Sequence, residues 1–372
     1  MASNKYCLGD LITQRREKNP GGNLPIRGVS KEGLQPPKQI DADTSIYNLY
    51  YRNDFVYNPA RMELGSIAFN DEYDKAICSS LYEVFYVHRT DLVMPEYLAL
   101  FVKHPEFARY CNYIGNGSAR EYCRFDNISG IPIYLPPLPK QRKIVRDYQV
   151  VTDRIKLLQD IIEKTDTQMR IYAIEWTKTH AVEEGKLSEY CQMEYGFTET
   201  ASTEEVGPKF LRITDITDSF IDWNKVPYCQ VSEKDLAKYK LQQGDVVIAR
   251  TGATSGAAKL IWKNTPEAVF ASFLVRLIAI NRNFQLFLAL CVTGFDFYKY
   301  VQSNAEMAGS AQPQANPPLL GQYVLSVPSE NNLPEFNSVV CSYLNYIDQC
   351  ASEISKLKSI QELLLAGVTV AS

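Results

Sequence analysis

Two loop regions of this chain gather side chains able to read the edges of nucleobases, and the same pair of regions occurs twice. In the first half, the loop after Tyr57 offers Asn58, Arg61 and Glu63, and the loop around Gly117 offers Asn116, Ser118, Arg120 and Arg124. In the second half, the matching loops offer Arg250, Thr251, Thr254 and Lys259, then Ser310, Gln312, Gln314 and Asn316. Arginine pairs with guanine through two donors, and asparagine or glutamine pairs with adenine. Gly252, Gly256 and Ala311 lack bulk, so backbone there can approach a phosphate. The competing reading is a set of polar hairpin turns with no ligand.

Other chemistry is poorly supported by the residue pattern. His88, His104 and His180 are far apart, and the nine cysteines show no CxxC spacing. No metal ligand set follows, and the thiols read as reduced, as in a cytoplasm. There is no GxxxxGK[ST] phosphate loop and no GxSxG elbow. The acid pairs Glu183-Glu184 and Glu204-Glu205 fall in linker-like stretches, where solvated carboxylates are expected. Asn316-Pro-Pro-Leu319 has the first three residues of the amino-methyltransferase motif, but Leu319 stands where the stacking aromatic belongs. No FxGxG-type motif precedes it, so a Pro-rich turn before a strand is the better reading. An enzyme is therefore not expected, and no cofactor.

The chain has 372 residues, 45% apolar and 22% charged, as in a water-soluble globular protein of two or three domains. No apolar run reaches membrane-spanning length and the start lacks a signal-peptide core, so a cytoplasmic location is expected. The net charge of −4 excludes a uniformly basic surface, though not local basic patches.

Two long runs without interior Gly or Pro must position the loops. Between Pro139 and Gly185, Ile144, Tyr148, Val151, Ile155, Leu158, Ile162, Thr165, Met169, Tyr172 and Trp176 step by four and three, a heptad seam. Between Pro334 and Gly367, the seam recurs 192 positions later as Phe336, Val340, Tyr343, Ile347, Cys350, Ile354, Leu357, Gln361 and Leu364. Pro opens and Gly closes each run, as helix ends prefer. Ser80 and Ser272, Gly117 and Gly309, and Pro136 and Pro328 keep the same offset of 192, while Asp54 and Gly65 recur 191 later as Asp245 and Gly256. Leu8-Gly-Asp-Leu-Ile12 matches Leu187-Ser-Glu-Tyr-Cys191 weakly, and the segment 24–29 aligns loosely with 210–214, setting Arg27 against Arg212.

The pattern predicts a tandem duplication. It consists of an α+β domain over 1–138, a helix over 139–184, a second α+β domain over 185–333 and a second helix over 334–372. Strands are expected at 24–29, 210–214, 81–87 and 273–280, and helical segments at 96–113 and 284–303. If the helices pair antiparallel, the domains sit at opposite ends of a rod of roughly 50 Å, from about 35 residues at 1.5 Å each. That length matches about 15 base pairs of duplex DNA. Lys140, Arg142, Lys143 and Arg146 at the helix start either touch phosphates or form a solvated face. Arg27 and Arg212 read either as loop-side cations or as strand-edge ion-pair partners.

Gly117-Ser-Ala-Arg120, Phe125-Asp-Asn-Ile128 and Ile133-Tyr-Leu-Pro-Pro-Leu-Pro-Lys-Gln-Arg-Lys-Ile-Val145 resemble the join between recognition domain and helix in type I restriction-modification specificity subunits. Phe210-Leu-Arg-Ile-Thr-Asp-Ile216, Gly244-Asp-Val-Val-Ile-Ala-Arg-Thr-Gly252 and Gly309-Ser-Ala-Gln312 resemble that family's second domain. The second join departs from the pattern: Val327-Pro-Ser329 lacks the second Pro followed by Leu, and Glu330-Asn-Asn-Leu-Pro334 lacks the basic, Gln-containing start. The resemblance implies two target recognition domains, each reading half of a split DNA site, and paired helices that set the gap. It also implies a non-catalytic subunit that docks two adenine methyltransferase subunits, which would bind S-adenosylmethionine, and in some complexes a motor-nuclease subunit. The rival readings are a stand-alone bipartite DNA-binding protein and a coiled-coil adaptor.

Overall fold

The computed structural model describes residues 4–37, 39–40, 43–115, 122–218, 220–307 and 314–368. The chain forms two compact units, Met1–Arg154 with Lys358–Ser372, and Ile155–Leu357. Each long helix thus contributes to both units, where the sequence suggested helices separate from the domains.

In the first unit, Asn4–Cys7 pairs antiparallel with Pro132–Leu135. Ile12–Arg15 then enters a four-stranded antiparallel sheet with Glu83–Val87, Asp54–Tyr57 and Ile67–Phe69. A smaller pair joins Asn48–Tyr51 to Lys75–Cys78. Alternate residues of the sheet point inward. Phe55, Tyr57 and Phe85 meet Leu98, Phe101 and Phe107 in one core, while Val56 and Val84 meet Tyr50 and Cys78 in another.

The second unit repeats the plan. Ala181–Lys186 pairs with Val324–Pro328, and Cys191–Tyr195 joins Leu274–Ala279, Val246–Ala249 and Ala258–Leu260 in the same order. The smaller pair, Lys209–Leu211 with Ala268–Phe270, is parallel here. Turn chemistry repeats as well. Asp54 accepts a hydrogen bond from Tyr51 N at 2.8 Å, and Asp245 accepts one from Gln242 N at 2.9 Å. Asn53 and Gly244, the residues before these acids, both have left-handed backbone, with φ of 68° and 96°. Leu8 and Leu187 are both buried and each opens a single short helical turn, so the weak match at the two N-terminal segments is structurally sound.

The acids Asp54 and Asp245 are neutralised from different strands. Arg15 Nε sits 2.7 Å from Asp54, whereas Asp245 faces Arg276 at 3.5 Å, which also binds Glu194 at 2.6 Å. Burial holds both aspartate pKa values above the ordinary carboxylate range in spite of these cations.

The long helices span Leu138–His180 and Leu333–Ala366. The middle of their seam is buried, Ile155, Leu158, Ile162, Thr165, Met169 and Trp176 on one and Phe336, Val340, Cys350 and Ile354 on the other, while Ile144, Tyr148, Val151, Tyr172, Tyr343, Ile347, Leu357, Gln361 and Leu364 are half-buried. In the second unit, Tyr172 stacks on Phe336 and Trp176 meets it at a tilt, with ring centroids 5.9 and 4.6 Å apart. In the first unit, Gln361 Nε2 donates to Thr152 Oγ1 at 2.8 Å. Within the second unit Trp176 meets Phe336 while Tyr172 also meets Tyr343, 6.5 Å between centroids, so the two helices run antiparallel there.

Several sequence expectations change. The first helix stops at His180, because 181–186 is taken up as a strand by Val324–Pro328, whose ladder outweighs local helix preference. The expected helices 96–113 and 284–303 each break in two. Pro105 lacks the N–H that would continue Pro95–Lys103, and Gly294 follows Gln285–Val292. The expected strands 81–87 and 273–280 begin only at Glu83 and Leu274, which leaves Leu81 and Phe273 outside the sheet. Segment 24–29 supplies only an isolated bridge at Ile26 and the start of the strand Gly28–Ser30, while 210–214 turns into a helical turn at Ile213.

The second join is built differently from the first. Gln141, in the first, is fully buried. Its Oε1 accepts from Met94 N at 3.0 Å, and its Nε2 donates to Leu92 O and Pro136 O, both at 2.8 Å. The matching residue 192 later is Leu333, equally buried but apolar.

Candidate nucleic-acid interface

The two candidate loops of each unit meet. In the first unit, Cys123 N, just past the loop around Gly117, donates to Pro59 O at 2.9 Å. In the second, Ala315 N donates to Arg250 O at 2.7 Å, and Thr251 bridges to Gln314. These contacts join equivalent residues, since 123 and 315 differ by 192, and 59 and 250 by 191.

In the first unit, Asn58 caps the helical turn Pro59–Leu64 by accepting from Ala60 N at 3.0 Å. Gly65 closes that turn with φ +72°, matching Gly256 at +89°. Arg61 is exposed, and Glu63 is half-buried. The Arg124 guanidinium lies 5.9 Å from the centre of the exposed Tyr122 ring. Asn116, Ser118 and Arg120 lie outside the described residues.

In the second unit, the Arg250 guanidinium lies 4.7 Å from the centre of the Tyr195 ring and donates to Ser272 O at 3.4 Å. Its backbone N donates to Phe273 O at 3.0 Å. Thr251 and Thr254 are half-buried beside it, and Gln314 is exposed. Ser310 and Gln312 lie outside the described residues. Asn316 caps the short helix Pro317–Gly321 through its side-chain oxygen, which accepts from Leu319 N at 3.0 Å. The Asn-Pro-Pro segment is therefore a helix start leading to the strand Val324–Pro328.

Lys259 is placed apart from these loops. Its ammonium donates to Asp218 O at 2.5 Å and lines a cavity of about 590 Å³ beside Asp166, Arg170 and Trp262. Burial holds its pKa below that of an ordinary lysine. Arg212 is engaged by Asp215 at 2.9 Å, and Arg27 by the Tyr73 hydroxyl at 2.8 Å. Of the basic cluster at the helix start, Lys143 pairs with Asp147 at 2.6 Å.

Three contributors were not singled out in the sequence. Glu83 accepts from Tyr57 OH at 2.7 Å and from Phe125 N at 2.8 Å, tying the sheet to the segment after the second loop. Tyr195 and Tyr122 carry the arginine stacks. No signal in the sequence pointed to Tyr195, whose strand is separated from the one before Arg250 by Leu274–Ala279. Among the described residues, no three His, Cys, Asp or Glu side chains gather as a metal site would need. No helix there is long and apolar enough to cross a membrane.

Residues 9–165 match the family described as type I restriction modification DNA specificity domain. The putative type I restriction enzyme MjaX specificity subunit of Methanocaldococcus jannaschii is 26% identical over 117 residues, covering 30% of this chain and 28% of that protein's length. The crystal structure of the type I restriction-modification S subunit from M. genitalium superposes with a TM-score of 0.60 at 13% identity, covering 100% of this chain and 96% of that one. The chain therefore has the fold of that S subunit along its whole length. The HsdS subunit of Thermoanaerobacter tengcongensis aligns more loosely, with a TM-score of 0.44 at 16% identity, covering 99% of this chain and 96% of that one.

Proposed function

We propose that this chain is the DNA sequence-specificity subunit of a type I restriction-modification complex, each unit reading one half of a bipartite site. The observation that carries the reading is the repeated loop junction, Cys123 to Pro59 and Ala315 to Arg250, on two sheets of one topology. It gives two similar reading tips in one chain, as a split target requires. Asn58, Arg61, Arg250, Thr251, Thr254 and Gln314 supply base and backbone contacts, joined by Asn116, Ser118, Arg120, Ser310 and Gln312. Arg250 is the first choice for guanine, since its stack on Tyr195 limits the motion of the guanidinium.

The subunit itself performs no bond chemistry and holds no cofactor. Two adenine methyltransferase subunits bind S-adenosylmethionine and dock on the paired helices, and a motor-nuclease subunit completes a restricting complex. Exposed Leu157, Ile171 and Ile174, on the face of the first helix away from its seam, suit such docking. The complex works on cytoplasmic DNA.

Methylome sequencing of a host carrying this chain with its methyltransferase tests the reading. A split motif with methylated adenine in both halves is expected. Arg250→Ala should make the second half degenerate while the methyltransferase still co-purifies. Lack of any split motif overturns the function, and an unchanged motif in the variant overturns the role of Arg250.

A further inference from the structure

Single exposed apolar side chains are common on any protein surface and need no explanation. The same position exposed in both copies of a duplication does. Leu81 and Phe273 are 192 apart, follow the matched serines Ser80 and Ser272, and lie one or two residues before the equivalent strands Glu83–Val87 and Leu274–Ala279. They are 79% and 59% exposed, and neither joins an apolar core.

Both flank the reading tips. The backbone carbonyls of Ser272 and Phe273 hold the Arg250 side chain and backbone, so Phe273 borders the guanidinium that stacks on Tyr195. In the first unit, Glu83, two residues past Leu81, binds Phe125 N beside the Arg124 and Tyr122 stack. In the second unit an arginine on a tyrosine ring thus borders the exposed Phe273, and Leu81 holds the equivalent position in the first. The apolar group on the major-groove edge of a base pair is the thymine methyl.

We propose that Leu81 and Phe273 are equivalent specificity-determining residues, each contacting a thymine methyl beside the bases read by its unit. The inference rests on the DNA-reading function above. It explains why two such residues stay outside the sheet, where a strand position would have buried them.

The test uses the assembled complex with its methyltransferase subunits and a duplex carrying the motif found by methylome sequencing. Phe273→Ala should weaken binding about tenfold, the effect of one mismatched base pair, and Phe273→Leu should restore most of it. Deoxyuridine in place of one thymine of the second half should weaken the wild type similarly and add nothing to Phe273→Ala. Leu81→Ala should show the same non-additivity in the first half. Binding within twofold of wild type in both alanine variants, with full uracil sensitivity retained, overturns the proposal. Arg250→Ala in the same series separates the two ideas. If it weakens second-half recognition while Phe273→Ala and Leu81→Ala do not, only the apolar contact falls. If the wild-type complex shows no preference for its motif, the DNA-reading function itself falls.

Discussion

Gln141→Leu tests how the first helix is fastened to its domain. The substitution keeps the volume of a fully buried side chain, so cavity terms are small. It removes one bond from Met94 N and two to the carbonyls of Leu92 and Pro136. At about 1 kcal/mol net for each bond, the loss is about 3 kcal/mol. A domain of this size loses about 2–4 °C of Tm per kcal/mol, so its melting transition should fall by roughly 6–12 °C. Differential scanning calorimetry with the matched variant Leu333→Gln gives the reciprocal arm. There an amide enters a buried site that provides for leucine, so that change should also destabilise. A Gln141→Leu transition within about 2 °C of wild type would show that the three bonds are replaced by water at no cost, refuting the fastening role.

Ile155→Asp places a carboxylate in the helix seam and should abolish the folded helix pair and, on the proposed function, co-purification of a methyltransferase subunit. Retention of the full circular-dichroism helix signal would contradict the seam assignment. Asp54→Asn probes a raised pKa. The folded state binds the Asp54 proton more readily than the unfolded chain, so ionisation above pH 3.8 costs stability. The stability of wild type relative to Asp54→Asn should therefore decline as pH rises from 3.8 through the folded pKa, measured as urea midpoints, and an increase would refute the burial argument. Thiol labelling at pH 8 should find Cys7 fast, since it is exposed. Cys191, pushed up to about 12 by burial, should stay unlabelled until the protein unfolds, and mass spectrometry of the native protein would reveal any departure.

Much of the architecture was legible because long-period patterns survive local change. The seam from Ile155 to Trp176 and its copy from Phe336 to Ile354 are buried or half-buried as spaced. Asp54 and Asp245 cap the same turn, which is why their offset held. The helix end was illegible because 181–186 contains no breaker before Gly185 and becomes a strand only through a partner more than a hundred residues away. The burial of Gln141 was illegible for a similar reason: its neighbours Lys140 and Arg142 are exposed, and only the folded backbone reveals its three partners. At the candidate loops, residue type named Arg250 and Asn58, which lie at or beside the two loop junctions. It could not separate Lys259, which points into a cavity, or find Tyr195, whose role depends on strand pairing.

The strand pairs that open and close each repeat have a practical corollary. Ala181–Lys186 and Val324–Pro328 zip the entry and exit of the second repeat together, and Asn4–Cys7 with Pro132–Leu135 does so for the first. A protease nick in a surface loop of either repeat would leave two fragments still knitted by their outer ends. Such loops are natural seams for split-protein complementation, in which two separately expressed pieces reassemble into one folded repeat.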